Sequence, residues 1–149
     1  MHLVGFLFLC FTLVAAKNIN FETCEGIVKS VDVSPCSTDP CEIPKGDSVN
    51  ITVRCISNVN AQKLRLSVFA EIAGIEVPYP GMRRDACKGK NLTCPITEGQ
   101  EIAFVQSFPV KKFFPTISTV TRFNLKTNDD QDKNICCFKA PVKVVDAVR

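Results

Sequence analysis

The chain has 149 residues, of which 46% are hydrophobic and 22% charged, and its 18 basic and 15 acidic residues give a formal net charge of +3. This length fits a single domain with a real core, and the apolar share excludes an intrinsically disordered chain. The low net charge, with no basic run longer than two residues, argues against nucleic-acid binding as the main task.

The first sixteen residues have the pattern of a secretory signal peptide. Residues 3–14 are almost all apolar, small residues follow at Val14-Ala15-Ala16, and the chain turns polar at Lys17. The apolar run is too short to span a bilayer comfortably, which favours cleavage over membrane anchoring. We expect a signal peptide over residues 1–16 and one domain over residues 17–149.

Alternating apolar and polar residues predict most of the strands along the rest of the chain, and the Thr, Ile, Val and Phe content of residues 117–127 predicts another. In chain order these strands cover residues 27–33, 49–55, 63–72, 102–108, 117–127 and 142–144, with clusters of Pro, Gly, Asn and Asp between them. No stretch has a convincing helical period. We therefore expect an all-β sandwich of about seven strands. The chain has no Trp, so it lacks the Cys…Trp…Cys pattern of antibody domains.

Two of the loops between these strands are apolar, although loops are usually polar. The loops are residues 77–82 and 108–115, and their large apolar side chains, which lie beside prolines, are Tyr79, Phe108, Val110, Phe113 and Phe114. Two interpretations stay open: the side chains fold back and plug the core, or they line the mouth of an apolar cavity between the sheets. The shared proline-aromatic design of the two loops favours the cavity.

Two basic pairs and two glycosylation motifs lie in or near these segments. Lys111-Lys112 and Arg83-Arg84 either contact anionic lipid headgroups or are ordinary solvated charges. Asn50-Ile51-Thr52 and Asn91-Leu92-Thr93 are acceptor motifs for N-glycosylation in a secreted protein.

Cleavage of the signal peptide changes two residue counts. It removes His2, the only histidine, and Cys10, so that nine cysteines become eight. A mature chain without histidine has no Ser-His-Asp triad, no Cys-His pair and no His-ligated metal. We therefore expect no enzymatic activity, no cofactor and no metal site.

The eight remaining cysteines predict disulfide bonds in a secreted chain. Short loops bring two pairs within reach of each other, Cys36 with Cys41 and Cys87 with Cys94. Cys136 and Cys137 are adjacent, so on a strand they point to opposite faces and need different partners. Cys24 and Cys55 are left for them.

A series of motifs resembles the myeloid-differentiation-factor-2-related lipid-recognition (ML) family, and within it the sterol-transfer members. The motifs follow in order over nearly the whole mature chain, at residues 27–36, 40–41, 45–46, 77–80, 85–89, 94–96, 109–115 and 137–142. The resemblance implies an immunoglobulin-like β-sandwich of about seven strands, with an apolar cavity between its two sheets.

The resemblance also implies three disulfides, Cys24–Cys137, Cys36–Cys41 and Cys87–Cys94. The other two cysteines, Cys55 and Cys136, are not part of the family pattern. They either form a fourth bridge or stay as two buried free thiols. Asn50 matches a glycosylated position of the family.

The resemblance places ligand-binding positions at Tyr79, Val110 and Phe114, and we assign the adjoining Pro109 and Phe113 to the same site. Residues for partner or membrane contact are Asp85 and Lys88, which match a surface that hands lipid to a membrane partner, together with Lys111 and Lys112. Arg83-Arg84 depart from the family pattern, which is more acidic and proline-rich there.

Two functions remain open at this point. The first is a monomeric carrier, secreted or in the lysosomal lumen, that binds a sterol or another hydrophobic lipid and transfers it to a membrane or a membrane sterol transporter. The alternative is a lipid-sensing interaction protein, either an innate-immune lipid adaptor or a chemosensory carrier of hydrophobic ligands.

Overall fold

The computed structural model describes residues 16–80, 85–88 and 92–147. Within these ranges the chain is mostly strand, and its helical content is one 3-10 turn at Ala86–Lys88. No helix there has the length and apolar character needed to cross a membrane. The predicted signal peptide except Ala16, the Arg83-Arg84 pair and the acceptor Asn91 lie outside the described residues.

The described residues form nine strands. In chain order they are β1 (Lys17–Asn18), β2 (Glu22–Ser34), β3 (Cys41–Pro44), β4 (Ser48–Ile56), β5 (Leu64–Ile72), β6 (Ile75–Pro78), β7 (Glu101–Pro109), β8 (Ile117–Thr127) and β9 (Asn134–Val145). Seven of them form one hydrogen-bonded path in the order β6-β5-β8-β9-β2-β4-β7, while β1 pairs with β2 and β3 pairs with β9. The predicted all-β sandwich of about seven strands is confirmed.

The path folds into two layers because β2 belongs to both of them. Its first part, Glu22–Gly26, pairs with β9, and its second part, Ile27–Ser34, pairs with β4. One layer therefore holds β6, β5, β8, β9 and β3, and the other holds β4, β7 and β1. The two layers meet at a corner formed by β2.

Gly26 makes this corner possible. Its φ is +77°, and a Cβ atom built on it would lie 2.0 Å from the carbonyl oxygen of Ile135 on the neighbouring β9. A side chain would thus need both a left-handed backbone and space that the β9 backbone already occupies. The turn of β2 from one layer to the other depends on glycine at this position.

Four disulfides hold the layers and loops. Three are the bridges that the resemblance implies, and the fourth joins Cys55 to Cys136. Both sulfurs of this fourth bridge come from fully buried residues, at 0% exposure, and the bridge crosses from β4 in one layer to β9 in the other. The adjacent Cys136 and Cys137 take different partners, as their opposite faces predict.

Burial along each strand explains which strands alternation predicts. Alternation predicts β4, β5 and β7 almost to the residue, and amino-acid content predicts β8. Alternation predicts only the end of β9, because Ile135, Cys136, Cys137 and Phe138 are all buried and do not alternate. It does not predict β3 or β6, since each has only four residues.

Replacing Gly26 tests the corner. We expect Gly26→Ala to lower the free energy of unfolding by roughly 3 kcal/mol or more, because the new methyl group forces β2 away from β9. Gly99→Ala is the matched control: Gly99 has a similar φ of +83°, but a Cβ atom added to it would meet nothing within 4 Å, so only the left-handed strain of about 1–2 kcal/mol remains. Denaturant unfolding with all bridges intact measures both values. Equal losses would show that the contact with Ile135 is unimportant.

Candidate functional site

An apolar cavity of about 120 Å³ lies between the two layers. Its walls come from both of them, with Val49 and Ile51 on β4 facing residues of the other layer such as Val68, Ala70, Phe123 and Phe138. Among the described residues that line it, none carries a charged side chain. The cavity can therefore receive an apolar molecule and offers no charge to recognise a polar one.

The polar groups in the lining are already satisfied within the protein. Two lining side chains, Thr121 and Tyr79, carry hydroxyls. Thr121 Oγ1 donates a hydrogen bond to the Ala140 carbonyl at 3.0 Å, and Tyr79 Oη donates one to the Pro109 carbonyl. An apolar ligand would leave neither hydroxyl without a partner.

Tyr79 forms one side of the cavity mouth. It follows β6 directly, and its backbone N–H donates to the Val68 carbonyl at 2.9 Å, which fixes it to β5. Its ring packs edge-on against Phe108 and Phe114, with ring centroids 5.5 Å and 5.9 Å away. Three aromatic rings thus meet at this edge of the cavity in the geometry that such rings prefer.

Val110 anchors the other side of the mouth. Its N–H donates to the Asp47 carbonyl and its own carbonyl accepts from the Gly46 N–H, both at 2.7 Å. These bonds tie the start of the β7–β8 loop to the turn between β3 and β4. Val110 is buried against the cavity, and Phe114, four residues later, is half-buried at its edge.

The aromatic side chains continue from the mouth into the core. Phe108 packs against Phe123, and Phe123 stacks on both Phe104 and Phe138 with centroids 5.5 Å and 5.0 Å apart. These stacked rings lie between the cavity and the tightly packed half of the domain, where Val53, Cys55 and Cys136 are fully buried. Aromatic residues therefore both line the mouth and fill part of the interior.

Two residues assigned to the ligand site do not line the cavity. Phe113 is 77% exposed and contacts the site only through its edge-on packing against Phe114, at 5.2 Å. Pro109 is exposed on the edge strand β7 and contributes its backbone carbonyl to Tyr79. Lys111 and Lys112 are exposed in the same loop as Phe113, so the loop presents an aromatic ring and two cations at the surface beside the mouth.

The remaining predicted site residues lie apart from the cavity. Asp85 Oδ1 accepts a hydrogen bond from the Cys87 N–H at 3.0 Å, and Lys88 Nζ lies 3.9 Å from Asp85 Oδ2. Both lie next to Cys87 and beside the start of β5, where the backbone of Asp85 forms an isolated antiparallel bridge with that of Arg65. Asn50 is exposed on the outer face of β4, between the small residues Ser34 and Ser107 on its neighbours.

A wider depression of about 650 Å³ lies at the other end of β5 and β8. Most of its walls are polar, from Asn60, Gln62, Lys63, Thr97, Asn128 and Asp129, and it is open to solvent. It lacks the apolar enclosure of the smaller cavity, which we therefore take as the candidate site. Within the part of the chain that the structure describes, no group of three or more His, Cys, Asp or Glu residues is arranged to hold a metal ion.

Sequence reasoning named Tyr79, Val110 and Phe114, which line the cavity, but not the strand residues that form its walls. Val49, Ile51 and Val68 fall on predicted inner strand faces and Phe123 falls in a predicted strand, yet nothing in their pattern separates them from other buried residues. The hollow part of the interior becomes visible only when the opposing layers are in place.

A model of the ML domain matches residues 18–144 of this sequence. The chain belongs to the ML family. Among curated relatives, it is 34% identical over 145 residues to the NPC intracellular cholesterol transporter 2 of Bos taurus, which covers 95% of each chain. The sterol-transfer likeness of the motifs thus extends over the full domain.

Two solved structures of ML proteins share the fold. A Niemann-Pick type C2 protein from the Japanese carpenter ant superposes with a TM-score of 0.75 at 20% identity, covering 85% of this chain and all of the ant chain. Chicken MD-1, solved with lipid IVa, superposes with a TM-score of 0.59 at 11% identity, covering 87% of this chain and 96% of the MD-1 chain. At these identities the likeness concerns the immunoglobulin-like β-sandwich alone.

The acidity of Tyr79 gives a direct test of the mouth. Partial burial raises the pKa of its phenol above the ordinary value of 10.0. Since Tyr79 is the only tyrosine and the chain has no Trp, the ultraviolet absorbance of phenolate reports on this one group. We expect a titration midpoint above 10.0 for the folded protein and close to 10 in denaturant.

The direction of the shift also predicts how stability depends on pH. A raised pKa favours the protonated phenol in the folded state, so its contribution to stability is complete below about pH 10 and is lost as pH rises through the folded value. A folded-state midpoint at or below the denatured value would contradict the closed mouth.

Proposed function

We propose that this ML-family protein is a carrier of sterols or similar apolar lipids, which it holds between its two layers and passes to membranes. The observation that carries the proposal is the uncharged cavity behind an aromatic mouth. The names of the relatives support it, since the Bos taurus relative is called a cholesterol transporter and the MD-1 neighbour was solved with a lipid. The alternative of a lipid-sensing interaction protein is not favoured by these relatives.

The cavity must widen to hold such a ligand. Its volume of about 120 Å³ is below the roughly 300–1,000 Å³ of typical small-molecule sites. The rings of Phe108 and Phe114 can change rotamer more readily than the hydrogen-bonded strands can separate. We infer that a lipid replaces ring–ring contacts at the mouth when it enters.

Apolar burial alone provides enough free energy for this function. About 400 Å² of lipid surface removed from water at ~25 cal/mol/Å² gives at most about 10 kcal/mol before association costs. Binding between micromolar and nanomolar then needs no catalysis and no charged contact. Selectivity among lipids would come from shape, because apolar walls discriminate weakly.

The loop beside the mouth suits contact with a membrane. The exposed Phe113 ring can enter the interface between headgroups and chains, while Lys111 and Lys112 can contact anionic headgroups at about 1 kcal/mol each. The Phe113–Phe114 contact places this surface next to the mouth. A lipid could therefore move between cavity and bilayer without crossing open water.

Further parts of the proposal concern location and partners. The four disulfides fit an extracellular or lumenal protein, and we propose secretion through a signal peptide over residues 1–16, followed by one domain over residues 17–149. Asp85 and Lys88 are proposed to contact a membrane sterol transporter, and Asn50 to carry a glycan. We propose that the protein acts as a monomer and has no enzymatic activity.

Phe114→Ala tests the cavity mouth. Loss of its ring removes apolar contact worth about 1–3 kcal/mol, so affinity for a fluorescent sterol in solution should fall about tenfold or more. Phe113→Ala is the matched control, since it truncates the neighbouring ring that points outward, and its affinity in solution should stay close to that of the parent. A titration in which both variants behave alike would exclude Phe114 from the ligand site.

Lys112→Ala tests the membrane contact. We expect slower sterol transfer to anionic vesicles, most clearly at low salt, and unchanged transfer to neutral vesicles. Lys139→Ala, which removes an exposed lysine from the outer face of β9, should have little effect on either rate. If the two lysine variants slow transfer equally, the charge effect is not specific to the mouth.

A further inference from the structure

The two ends of the strand path meet across the cavity mouth. The path begins with β6 and ends with β7. Tyr79 directly follows β6, and Pro109 is the last residue of β7. The hydrogen bond from Tyr79 Oη to the Pro109 carbonyl therefore joins the two terminal strands of the curled sheet. This bond closes the sandwich on the side opposite the β2 corner.

The corner itself is covalently fixed. Cys24–Cys137 and Cys55–Cys136 attach β2 and β4 to β9, with Cα atoms 5.1 Å and 6.4 Å apart. Layers of a β-sandwich ordinarily lie about 10 Å apart. The Cys55–Cys136 bridge joins the two layers, while Cys24–Cys137 joins neighbouring strands of one layer. The corner is therefore held covalently, and a ligand does not enter there.

A second bridged segment lies beside the start of β5. Residues 86–88 contact this strand, and the Leu64 N–H donates to Cys87 Sγ at 3.2 Å. Leu92 and Ile96, on either side of Cys94, are buried in the core. Among the described residues no disulfide involves β6 or β7, so no covalent bond joins these strands where Tyr79 meets Pro109.

The backbone on each side of the mouth is held by its own layer. Tyr79 is tied to Val68 on β5, and Val110 is tied to the turn at Gly46 and Asp47. Opening must break the side-chain bond between the two sides, and it loosens the backbone hydrogen bonds of Tyr79 and Val110 that lie next to that bond. The ring of Tyr79 and its hydroxyl have different roles here: the ring is part of the cavity wall, and the hydroxyl connects the edges.

We propose that the Tyr79 hydroxyl is the latch of the cavity, and that lipid enters and leaves where its hydrogen bond to the Pro109 carbonyl breaks. This inference rests on the proposed function as a lipid carrier. The latch forms in the closed protein whether the cavity is empty or filled, since the carbonyl lies outside the lined space. It sets the rates of lipid uptake and release and leaves the affinity almost unchanged.

Tyr79→Phe separates the hydroxyl from the ring. In stopped-flow binding of a fluorescent sterol, we expect the association and dissociation rate constants to rise together by about fivefold, the equivalent of one net hydrogen bond. The dissociation constant should stay within about twofold of the parent, because equal increases in the two rate constants leave their ratio unchanged. Unchanged rates in a variant that binds sterol would overturn the latch and leave the carrier function standing. A large loss of affinity at unchanged association rate would also overturn it, because the hydroxyl would then bind the lipid.

Thr119→Val is the matched control. It removes a hydroxyl that donates to the Glu71 carbonyl, and both residues lie in the same layer, on β8 and β5. The variant loses a comparable hydrogen bond without separating the edges of the mouth. Its rate constants should match the parent, and a similar acceleration would show that any lost hydroxyl loosens the domain.

Hydrogen exchange tests the latch without a ligand. In Tyr79→Phe, the amides of residues 79 and 110 should exchange about fivefold faster, while those of Cys55 and Cys136 at the fixed corner should not change. If neither parent nor variant binds sterol, the carrier function fails, and this experiment still decides the latch. Exchange at residues 79 and 110 that equals the parent would overturn it.

Discussion

The passage of β2 from one layer to the other is the constraint on which the rest of the structure depends. It requires Gly26, where the backbone has a positive φ and approaches β9 too closely for a side chain. Because β2 is shared, the layers are joined along one side and can diverge along the other. The position of the cavity, the location of the mouth and the meeting of β6 with β7 all follow from that asymmetry.

One part of the interior is filled with buried side chains, and another part contains the cavity. Around the Cys55–Cys136 bridge, Val31, Val53, Leu64 and Leu125 are fully buried and tightly packed. The other half holds a cavity of about 120 Å³, and an unfilled space of that size costs roughly 3 kcal/mol. The bridge between Cys24 and Cys137 spans 113 residues of sequence and contributes about 4–5 kcal/mol in the chain-entropy description. A covalent link of this kind offsets the cost of keeping an interior space for a ligand.

The chemistry of the site suits a lipid because its polar groups are occupied. Thr121 and Tyr79 already donate to backbone carbonyls, so a bound apolar molecule leaves neither hydroxyl without a partner. Outside the mouth the surface is amphipathic, because Phe113 is exposed beside Lys111 and Lys112. An apolar interior and an amphipathic rim are what a protein needs to exchange a lipid with a bilayer.

The sequence by itself determined the fold class and the inner faces of β4, β5 and β7, and it named Tyr79, Val110 and Phe114, which line the cavity. Alternation reports burial on one face of a strand, and the motifs carry the likeness to the ML family. Only the tertiary structure decided that β2 serves both layers, that Cys55 reaches Cys136, that Phe113 points outward beside an inward Phe114, and that Tyr79 bonds to Pro109. These features depend on residues that are far apart in the sequence. Tyr79 and Pro109 are separated by 30 residues, and Cys55 and Cys136 by 81. Local pattern records which face of a strand is buried, and it carries no information about which distant residue packs against that face.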